Sequence, residues 1–396
     1  MLESLEKLPA DPILGLTAAY NQDQNPNKVD LGAGVYKDEE GNTPVFSAVR
    51  KAGAIWQQEE STKAYIPQSG FADFNTSIIA HVFGDGHAAV EAQRLSSVMA
   101  PGGSGSLRVG AEMLNRASAG ATLWVSTPTW GNHIPLLGSS GLNIKEYPYY
   151  DADSHGLSFD SMMDTLGKVA SGDIVLLHGC CHNPTGVDLS AEQWDTLAVL
   201  AAEKGFIPFI DTAYHGLGES LEQDAYGICK LADSVEEMLL SYSCSKNFGL
   251  YRERTGAIIV LGKNSDQAEA SASHITNIAR QMYSLPPAYG GAMVKIILQN
   301  PELYESWKTE LDEMRERING LRVLFADTLA DKGASTDFSF IKNQYGMFSF
   351  LGINKEQIQR LRDEYSIYLV GSSRINVAGI SSKNLDYLTD AIVSVL

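Results

Sequence analysis

The chain has 396 residues, of which 44% are hydrophobic and 20% charged, and its formal net charge is −18. This length is sufficient for one large domain and a smaller one, each with its own core. Nucleic acids and acidic membrane surfaces require clustered lysines and arginines, so the acidic balance predicts neither as a partner. If the ligands of the protein are anions, its few cations must be gathered locally.

The cysteines and the hydropathy pattern exclude further classes of protein. Cys180, Cys181, Cys229 and Cys244 are too few and too irregularly spaced for a disulfide framework. The segment 178–182 pairs two adjacent cysteines with two histidines but lacks the C-x-x-C spacing of a zinc site, so we expect no bound metal. No apolar run reaches the roughly 18 residues that span a bilayer. The N-terminal residues lack the pattern of a signal or transit peptide, which favours a cytoplasmic protein.

Strands and helices are predicted to alternate along most of the chain. Short apolar runs bounded by turn residues predict strands at 96–100, 122–127, 173–179, 206–211, 238–243 and 256–262. Helical patterns at 106–117 and 190–205 lie between them, which favours an α/β domain with a mostly parallel sheet sandwiched by helices. From Pro301 a long charged helix is predicted to about residue 333. Strands at 345–352 and 374–379 follow, which indicates a smaller α+β domain.

The first candidate site is the glycine-rich run 101–106, between a predicted strand and a predicted helix. Gly103 lets the backbone approach an anion, the helix start offers free N–H groups, and Ser104 adds a hydroxyl donor. Many strand–helix junctions use glycine only to turn, and the run matches neither the Walker A sequence nor the dinucleotide fingerprint. Phosphate binding and a plain turn are therefore both open interpretations.

The second candidate is the run SCSKNFG (243–249), directly after an apolar strand, with Arg254 eight residues beyond Lys246. Ligands of α/β proteins bind at the carboxyl ends of the strands. A lysine there can be partly desolvated, which lowers its pKa and makes the amine nucleophilic. Ser243, Ser245 and Arg254 are placed to hold a phosphate beside it. The alternative is a surface lysine in a loop, and the combination of serines, glycine and arginine argues against it.

Two further strand ends carry polar side chains. Asp211 ends an apolar strand, where an unpaired carboxylate is costly, so it is a candidate partner of a cationic nitrogen, a metal ligand or a helix cap. Asn183 lies in the turn HNPTG (182–186) and is either a plain turn residue or an amide in the site. Arg280 and Arg374 can each hold a carboxylate with two hydrogen bonds, although single arginines are more often surface residues.

Taken together, these elements resemble the aspartate/aromatic aminotransferase family, a subgroup of the fold-type-I enzymes that depend on pyridoxal 5'-phosphate. The resemblance covers nearly the whole chain, and several long motifs in the same order are more specific than any one of them. The strongest runs are LGAGVYKDEEGNTPV (31–45), HGCCHNPTGVDL (178–189), YSCSKNFGLYRERTG (242–256), YSLPPAYG (283–290) and GMFSF (346–350).

The resemblance implies catalytic roles for three residues. Lys246 matches the lysine that holds the cofactor as a Schiff base. Asp211 matches the acid that pairs with the pyridine nitrogen, and His133 matches the side chain that supports this acid from behind. Tyr214 and Asn183 match the residues that bond the phenolate oxygen of the ring, and Tyr214 is counted with Lys246 and Asp211 as catalytic.

Other positions match residues that hold the rest of the cofactor and the substrate. Trp130 matches the aromatic side chain stacked on the ring, and Tyr65 a tyrosine that reaches the phosphate of the neighbouring subunit. The phosphate-side positions are Gly103, Ser104, Ser243, Ser245 and Arg254. The substrate positions are Gly34, Trp130, Asn183, Arg280 and Arg374. In the family, the residue at Arg374 binds the α-carboxylate, and the residue at Arg280 crosses the dimer interface to bind a distal carboxylate.

The family fold implies a homodimer with two shared active sites. It also implies an N-terminal arm at 1–12, a small domain formed by 13–44 and 314–396, and a large cofactor-binding domain at 45–313. The implied activity is amino transfer from L-aspartate, with aromatic amino acids as further donors, to 2-oxoglutarate by a ping-pong mechanism.

The residues around the expected substrate site match two branches of the family. Those that resemble the aspartate-selective branch are Val35, Lys37 and Thr43. Ser104 resembles the aromatic branch, and Ala64 and Leu285 stand where polar residues are common, so they loosen the polar surroundings of Arg280. A broad-specificity aromatic amino acid aminotransferase is therefore the alternative interpretation.

Three other classes of protein were weighed. A different reaction on the same cofactor is disfavoured by the pair of substrate arginines, Arg280 and Arg374. A binding protein that only retains the fold is disfavoured by the intact Lys246, Asp211 and Tyr214. A nucleotide-binding dehydrogenase is suggested by the α/β pattern alone and lacks the dinucleotide fingerprint.

Overall fold

The computed structural model describes residues 2–8 and 12–396. The α-helices are α1 (Pro12–Gln22), α2 (Ser47–Glu59), α3 (Ala72–Phe83), α4 (Ala88–Glu91), α5 (Gly102–Ala117), α6 (His133–Gly138), α7 (Phe159–Leu166), α8 (Ala191–Lys204), α9 (Leu221–Ser234), α10 (Ser265–Met282), α11 (Ala288–Gln299), α12 (Pro301–Asp331), α13 (Lys355–Tyr365) and α14 (Leu385–Val395). The strands are β1 (Val29–Asp30), β2 (Leu95–Pro101), β3 (Thr122–Thr127), β4 (Asn143–Pro148), β5 (Tyr150–Asp151), β6 (Gly156–Leu157), β7 (Ile174–His178), β8 (Ile207–Thr212), β9 (Met238–Ser243), β10 (Thr255–Leu261), β11 (Phe348–Phe350), β12 (Ile367–Tyr368) and β13 (Arg374–Asn376).

Seven strands form one mixed sheet in the order β2-β10-β9-β8-β7-β3-β4. The five strands β9, β8, β7, β3 and β4 run parallel to one another, whereas β10 is antiparallel to both β2 and β9. Alternate residues of β7 enter different cores: Val175 and Leu177 pack on one face of the sheet, and Ile174 and Leu176 on the other. The predicted α/β fold, with a mostly parallel sheet between helices, is therefore confirmed.

All six predicted strands of the large sheet are present, but the sequence did not predict β4. This edge strand, NIKEYP, is polar, and within it only Tyr147 is fully buried. Its backbone pairs with β3 alone. Because one edge and part of one face remain in water, the apolar alternation that marks a buried strand is missing.

The reversal at β10 has a simple cause. A parallel connection needs a crossover of roughly a dozen residues or more, usually a helix. The segment between Ser243 and Thr255 is too short for one and instead turns back, so that Gly256 pairs with Ser243 in an antiparallel ladder. An entirely parallel sheet would therefore be a wrong description of this chain.

The two ends of the chain pair with each other. Strand β1 lies parallel to β12, and β11 lies antiparallel to β13. The Asn376 side chain donates to the carbonyls of Ala33 and Val35, at 2.6 and 2.7 Å. These contacts agree with a unit built from 13–44 and 314–396, although its boundaries, the large domain at 45–313 and the arm at 1–12 remain predictions. Met1 and residues 9–11 of that arm lie outside the described residues.

Helix α12 is continuous across the predicted boundary at residue 313. Near its start, the Trp307 indole N–H donates to the backbone carbonyl of Asn247 at 2.7 Å. Near its end, the buried Arg322 guanidinium donates to the carbonyls of Gly346 and Phe348, at 2.6 and 2.7 Å. One helix therefore contacts the loop after β9 and the segment before β11. No helix within the described ranges combines the length and apolar content needed to span a membrane.

Two helical glycines give opposite predictions for stability. In Gly110→Ala, on α5, the new Cβ lies 2.7 Å from a Phe209 ring carbon and 3.1 Å from Ile258 Cδ1. We expect this overpacking to lower the free energy of unfolding by about 1–2 kcal/mol. The control is Gly320→Ala, on α12, which meets nothing within 4 Å and should raise it by about 0.5–1 kcal/mol. Urea unfolding measures both, and shifts of equal sign would contradict the packing of α5.

Candidate active site

A cleft of about 940 Å³, partly open to solvent, lies at the carboxyl ends of β7, β8 and β9. The N-terminus of α5 closes one side, and Arg374 closes another. The predicted site residues that line it are Gly34, Gly103, Ser104, Trp130, Asn183, Asp211, Tyr214, Ser243, Ser245, Lys246, Arg254 and Arg374. The sheet topology thus brings together residues that are far apart in the sequence.

Lys246 projects into this cleft from the loop between β9 and β10. Its Nζ lies 4.9 Å from the centre of the Tyr214 ring. Burial lowers the pKa of the Lys246 amine to about 8. The negative charge of Asp211 opposes this shift in part, and the positive charges of Arg254 and Arg374 add to it. With this pKa, roughly a tenth of the molecules have the free amine at pH 7, far more than for an ordinary lysine, and the free amine is able to act as a nucleophile or a base.

Asp211 is the penultimate residue of β8 and lines the same cleft. Its Oδ2 accepts a hydrogen bond from His133 Nε2 at 3.1 Å, and His133 is completely buried. Burial alone favours the neutral acid, but the hydrogen bond from His133 and the positive charge of Lys246 hold the pKa of Asp211 below its ordinary value. The site therefore presents a stable carboxylate, as a positively charged partner requires.

His133 is held in turn by side chains that the sequence analysis did not single out. Its Nδ1 shares a hydrogen bond of 2.7 Å with the Thr129 hydroxyl, which contacts His178 Nε2 at 3.1 Å. Burial lowers the pKa of His178 to about 3, so this ring is neutral. The chain of contacts fixes the orientation of the His133 ring toward Asp211. The only local signal was that His178 follows an apolar strand.

Tyr214, Asn183 and Arg374 converge from three parts of the chain. Arg374 Nη1 lies 3.4 Å from Asn183 Oδ1, and Nη2 donates to the Gly32 carbonyl at 2.9 Å. The guanidinium stacks on Phe348 at 4.3 Å, and the Tyr214 ring meets Phe348 edge to face. Burial raises the pKa of the Tyr214 phenol, so its oxygen carries a proton to donate. Phe348 was not predicted, although it lies in the quoted run GMFSF.

The start of α5 forms an anion-binding end of the cleft. Gly102 has a φ of +67°, and a Cβ there would lie 2.6 Å from Arg254 Nη2. Glycine is therefore required for the guanidinium to lie against the helix start. Arg254 Nη1 lies 3.4 Å from Ser245 Oγ, and the Ser243 hydroxyl donates to Ser245 Oγ at 3.1 Å. Two hydroxyls, a guanidinium and free helix N–H groups suit a phosphate.

Two predicted residues lie outside the cleft. Tyr65 is 91% exposed, and Arg280 is an exposed residue at the end of α10 whose guanidinium donates to Ser284 Oγ at 2.8 Å. The single chain therefore does not bring either of them to Lys246. Trp130 does line the cleft, and its ring meets His133 edge to face at 5.2 Å.

A cluster of Cys180, Cys181 and Asp224 places three potential metal-ligand atoms within 4.8 Å of one another. The Asp224 carboxylate already accepts hydrogen bonds from the backbone of Gly216, Gly218 and Glu219. The hydrogen bond with Cys181 and burial raise the pKa of the Cys180 thiol, and burial raises that of the Cys181 thiol, so both are neutral in the core. This chemistry is that of a satisfied core.

Comparisons with known proteins agree with this geometry. The family model for aminotransferases of class I and II matches residues 26–392. The chain is 46% identical to the aspartate aminotransferase of Escherichia coli K12, with both chains covered completely. It is 40% identical to the aromatic-amino-acid aminotransferase of Pseudomonas aeruginosa, covering 98% of this chain and 97% of that one.

A solved structure extends the likeness to three dimensions. The aromatic-amino-acid aminotransferase of Burkholderia pseudomallei, covalently bound to pyridoxal phosphate, superposes with a TM-score of 0.98. The identity is 41% over 100% of this chain and 99% of that one. The chain belongs to the class I and II aminotransferase family. It is accordingly a transaminase whose cofactor is pyridoxal 5'-phosphate.

The residues of the cleft fit this cofactor. The Lys246 amine, the Asp211 carboxylate and the phosphate-type end at α5 match the aldehyde, the ring nitrogen and the phosphate of the cofactor. Arg374 Nε is buried without a hydrogen-bond partner among the described residues. A buried unpaired donor is costly, which suits a site that is completed by an anionic ligand.

The Asp211 charge should be measurable through Lys246 in the cofactor-free protein. Because Asp211 raises the pKa of Lys246, we expect Asp211→Asn to move the midpoint of Lys246 acylation below that of the wild type, which should lie at about 8. Peptide mass spectrometry across pH follows this one lysine. The control is Asp195→Asn, which removes a negative charge from a 45% exposed position and should leave the midpoint unchanged. An unchanged or raised midpoint in Asp211→Asn would contradict the electrostatic contact.

Proposed function

We propose that the protein transfers the amino group of L-aspartate to 2-oxoglutarate, acting as a homodimer with shared active sites. The observation that carries the proposal is the convergence of an amine of lowered pKa, a stable carboxylate and a buried arginine at one sheet edge. The identity of 46% to a protein named aspartate aminotransferase supports the donor.

Lys246 moves the proton in this proposal. The bound cofactor supplies an electron sink for the bond to the α-carbon of the substrate. In the loaded protein, the free Lys246 amine would accept the α-proton of the substrate as a general base and give it back as a general acid. Burial lowers the pKa of this amine to about 8, so it gives up its proton far more readily than an ordinary lysine does.

Asp211, together with Tyr214 and Asn183, would set the electronic state of the bound cofactor. The Asp211 carboxylate holds a proton on the ring nitrogen, because an opposite charge within a few ångströms favours the charged form. His133 keeps that carboxylate oriented through a bond of 3.1 Å. The Tyr214 hydroxyl and the Asn183 amide would donate to the ring oxygen of the bound cofactor, and Trp130, which lines the same cleft, would cover the ring.

Arginines supply the positive charge that the acidic chain lacks elsewhere. Arg254 binds the phosphate together with Ser104, Ser243 and Ser245, and the N–H of Gly103 adds a donor. Arg374 binds the α-carboxylate with the planar, two-bond geometry that guanidinium favours. Gly34 lines the same cleft and leaves space for the substrate.

The homodimer explains the two residues that lie outside the cleft. Tyr65 and Arg280 are exposed in the single chain, and we assign them to the partner's site, on the phosphate and the distal carboxylate. Other large apolar side chains are exposed as well, including Val45, Met282 and Tyr289. Exposed apolar side chains mark protein contacts where they form a contiguous patch. The four cysteines are free, which agrees with a reducing compartment, and we propose the cytoplasm.

Aromatic amino acids are the second candidate class of donor. Ser104 lines the cleft, and Leu285 follows Ser284, whose hydroxyl binds the Arg280 guanidinium. Together with the exposed Ala64, these residues leave the distal end of the substrate site less polar. The relatives named as aromatic-amino-acid aminotransferases support this reading, at 40 and 41% identity.

The first test follows the cofactor by its absorbance. On addition of aspartate to the loaded protein, we expect the visible band to fall and a near-ultraviolet band to rise, and 2-oxoglutarate should reverse both. Repeating the titration with phenylalanine ranks the donors. A preference for aspartate above about 10³, equivalent to about 4 kcal/mol, would exclude the aromatic activity. A protein that stays colourless with added pyridoxal phosphate would refute the assignment of Lys246.

The second test mixes two inactive variants. Arg280→Ala should lower kcat/KM for aspartate by roughly 10²- to 10³-fold, because a charged carboxylate loses its partner. Subunit exchange with Lys246→Ala should then restore about a quarter of wild-type activity, since half of the random dimers contain one intact composite site.

The matched control mixes subunits of the single variant Lys246→Ala with subunits of the single variant Arg374→Ala. Both of these residues belong to the same chain's cleft, so no mixed dimer contains an intact site. Restoration in the control, or none in the Arg280 pair, would mean that Arg280 does not act across a dimer interface.

A further inference from the structure

Asn183 lies on a loop, 179–188, that leaves the sheet after Gly179, whose N–H donates to the Asp211 carbonyl at 2.9 Å. Cys181 has a φ of +53°, a conformation that a non-glycine residue adopts only at a cost. Asn183 follows two residues later and lies 3.4 Å from the Arg374 guanidinium. The position of this amide therefore depends on whatever fixes the preceding backbone.

The Asp188 carboxylate holds this backbone with two short hydrogen bonds, alongside a longer contact of 3.5 Å from the Asn183 N–H to His178 Nδ1. Oδ2 accepts a hydrogen bond from the Cys181 N–H at 2.5 Å, and Oδ1 accepts one from the His182 N–H at 2.7 Å. These N–H groups belong to the two residues directly before Asn183. One carboxylate thus binds two consecutive peptide groups, each through its own oxygen, whereas an asparagine amide would place an NH2 donor against one of the two N–H groups.

The segment after Asn183 has separate supports. The Gly186 N–H donates to the His182 carbonyl at 2.7 Å, and the Tyr345 N–H donates to the Gly186 carbonyl at 2.7 Å. The Thr185 hydroxyl contacts His182 Nδ1 at 2.9 Å. Removing the Asp188 charge would therefore release the approach to Asn183 while leaving the exit of the loop in place.

We propose that Asp188 is a positioning residue for Asn183, which it aims at the cofactor's ring oxygen by binding the N–H groups of Cys181 and His182. This inference rests on the proposed function, since it assigns a purpose to the position of Asn183. Asp188 acts only through the backbone and does not itself line the cleft that contains Lys246.

A second crevice, of about 460 Å³, is lined by Asp188 and not by Lys246. Burial raises the pKa of the Asp188 carboxyl to about 7, although its two N–H donors and Arg322 lower it in part. Other charged groups nearby are Glu219 and Asp224, and the titratable neutral groups are Tyr149, Cys180, Cys181, His182 and Tyr345. The carboxyl is thus ionised above about pH 7, where it offers two strong acceptors, and neutral below it.

The test compares Asp188→Asn with Asp195→Asn, which removes an equal charge from the exposed face of α8. In the cofactor-free protein at roughly pH 8, amide hydrogen exchange of a peptide spanning 179–187 should become about tenfold faster in Asp188→Asn and stay unchanged in Asp195→Asn. In the loaded protein, the pH midpoint of the visible absorption should rise, because a misplaced Asn183 no longer stabilises the anionic ring oxygen. We expect kcat for aspartate to fall about ten- to hundredfold.

The outcomes separate this inference from the function itself. If the wild type shows no amino transfer but amide hydrogen exchange of 179–187 is still faster in Asp188→Asn, the proposed function fails, whereas the role of Asp188 in holding the loop stands. Unchanged exchange, or an unchanged absorption midpoint with only lower stability, would overturn the positioning role. If the Asp188→Asn variant does not fold, the wild type provides the test. Its peptide 179–187 should exchange amide hydrogens more slowly, relative to a peptide of β7, as the pH rises through about 7, because Asp188 then becomes ionised and binds the two N–H groups more strongly.

Discussion

The antiparallel return from β9 to β10 is the constraint on which the site depends. Because the chain turns back directly after Ser243, the loop that carries Lys246 also delivers Arg254 to the start of β10. Strand β10 then pairs with β2, so Thr255 lies opposite Pro101 at the start of α5. The amine and the phosphate-type end of the cleft are thereby set by backbone ladders rather than by flexible side chains.

Buried charge gives this rigid frame its chemistry. Arg254 and Arg374 lower the pKa of Lys246, whereas Asp211 raises it, and none of the three charges can move far, because each is held by backbone or buried groups. In water the same pairs would be screened and weak. A chain with a net charge of −18 thus maintains a locally positive cleft that suits anions.

Those parts of the fold and of the site that depend on a local sequence pattern could be predicted. The apolar strands, the long helix from Pro301 and the polar residues at strand ends were visible in the pattern. The edge strand β4 was not, because its polar residues face water. Phe348 and Thr129 were missed for a different reason: each acts through neighbours that only the folded chain supplies. The direction of β10 followed from the length of a connection rather than from any residue in the strand.

Helix α12 limits how this chain can vary in length. Trp307 binds the carbonyl beside Lys246, and Arg322 binds the carbonyls around Phe348, fifteen residues further along the same helix. That spacing is about 22 Å and fixes the angle between the two side chains. Deleting one residue between them would rotate Arg322 by about 100° away from its carbonyls. Homologous chains are therefore free to exchange the exposed residues of this span, but an insertion or deletion within it would uncouple the two ends.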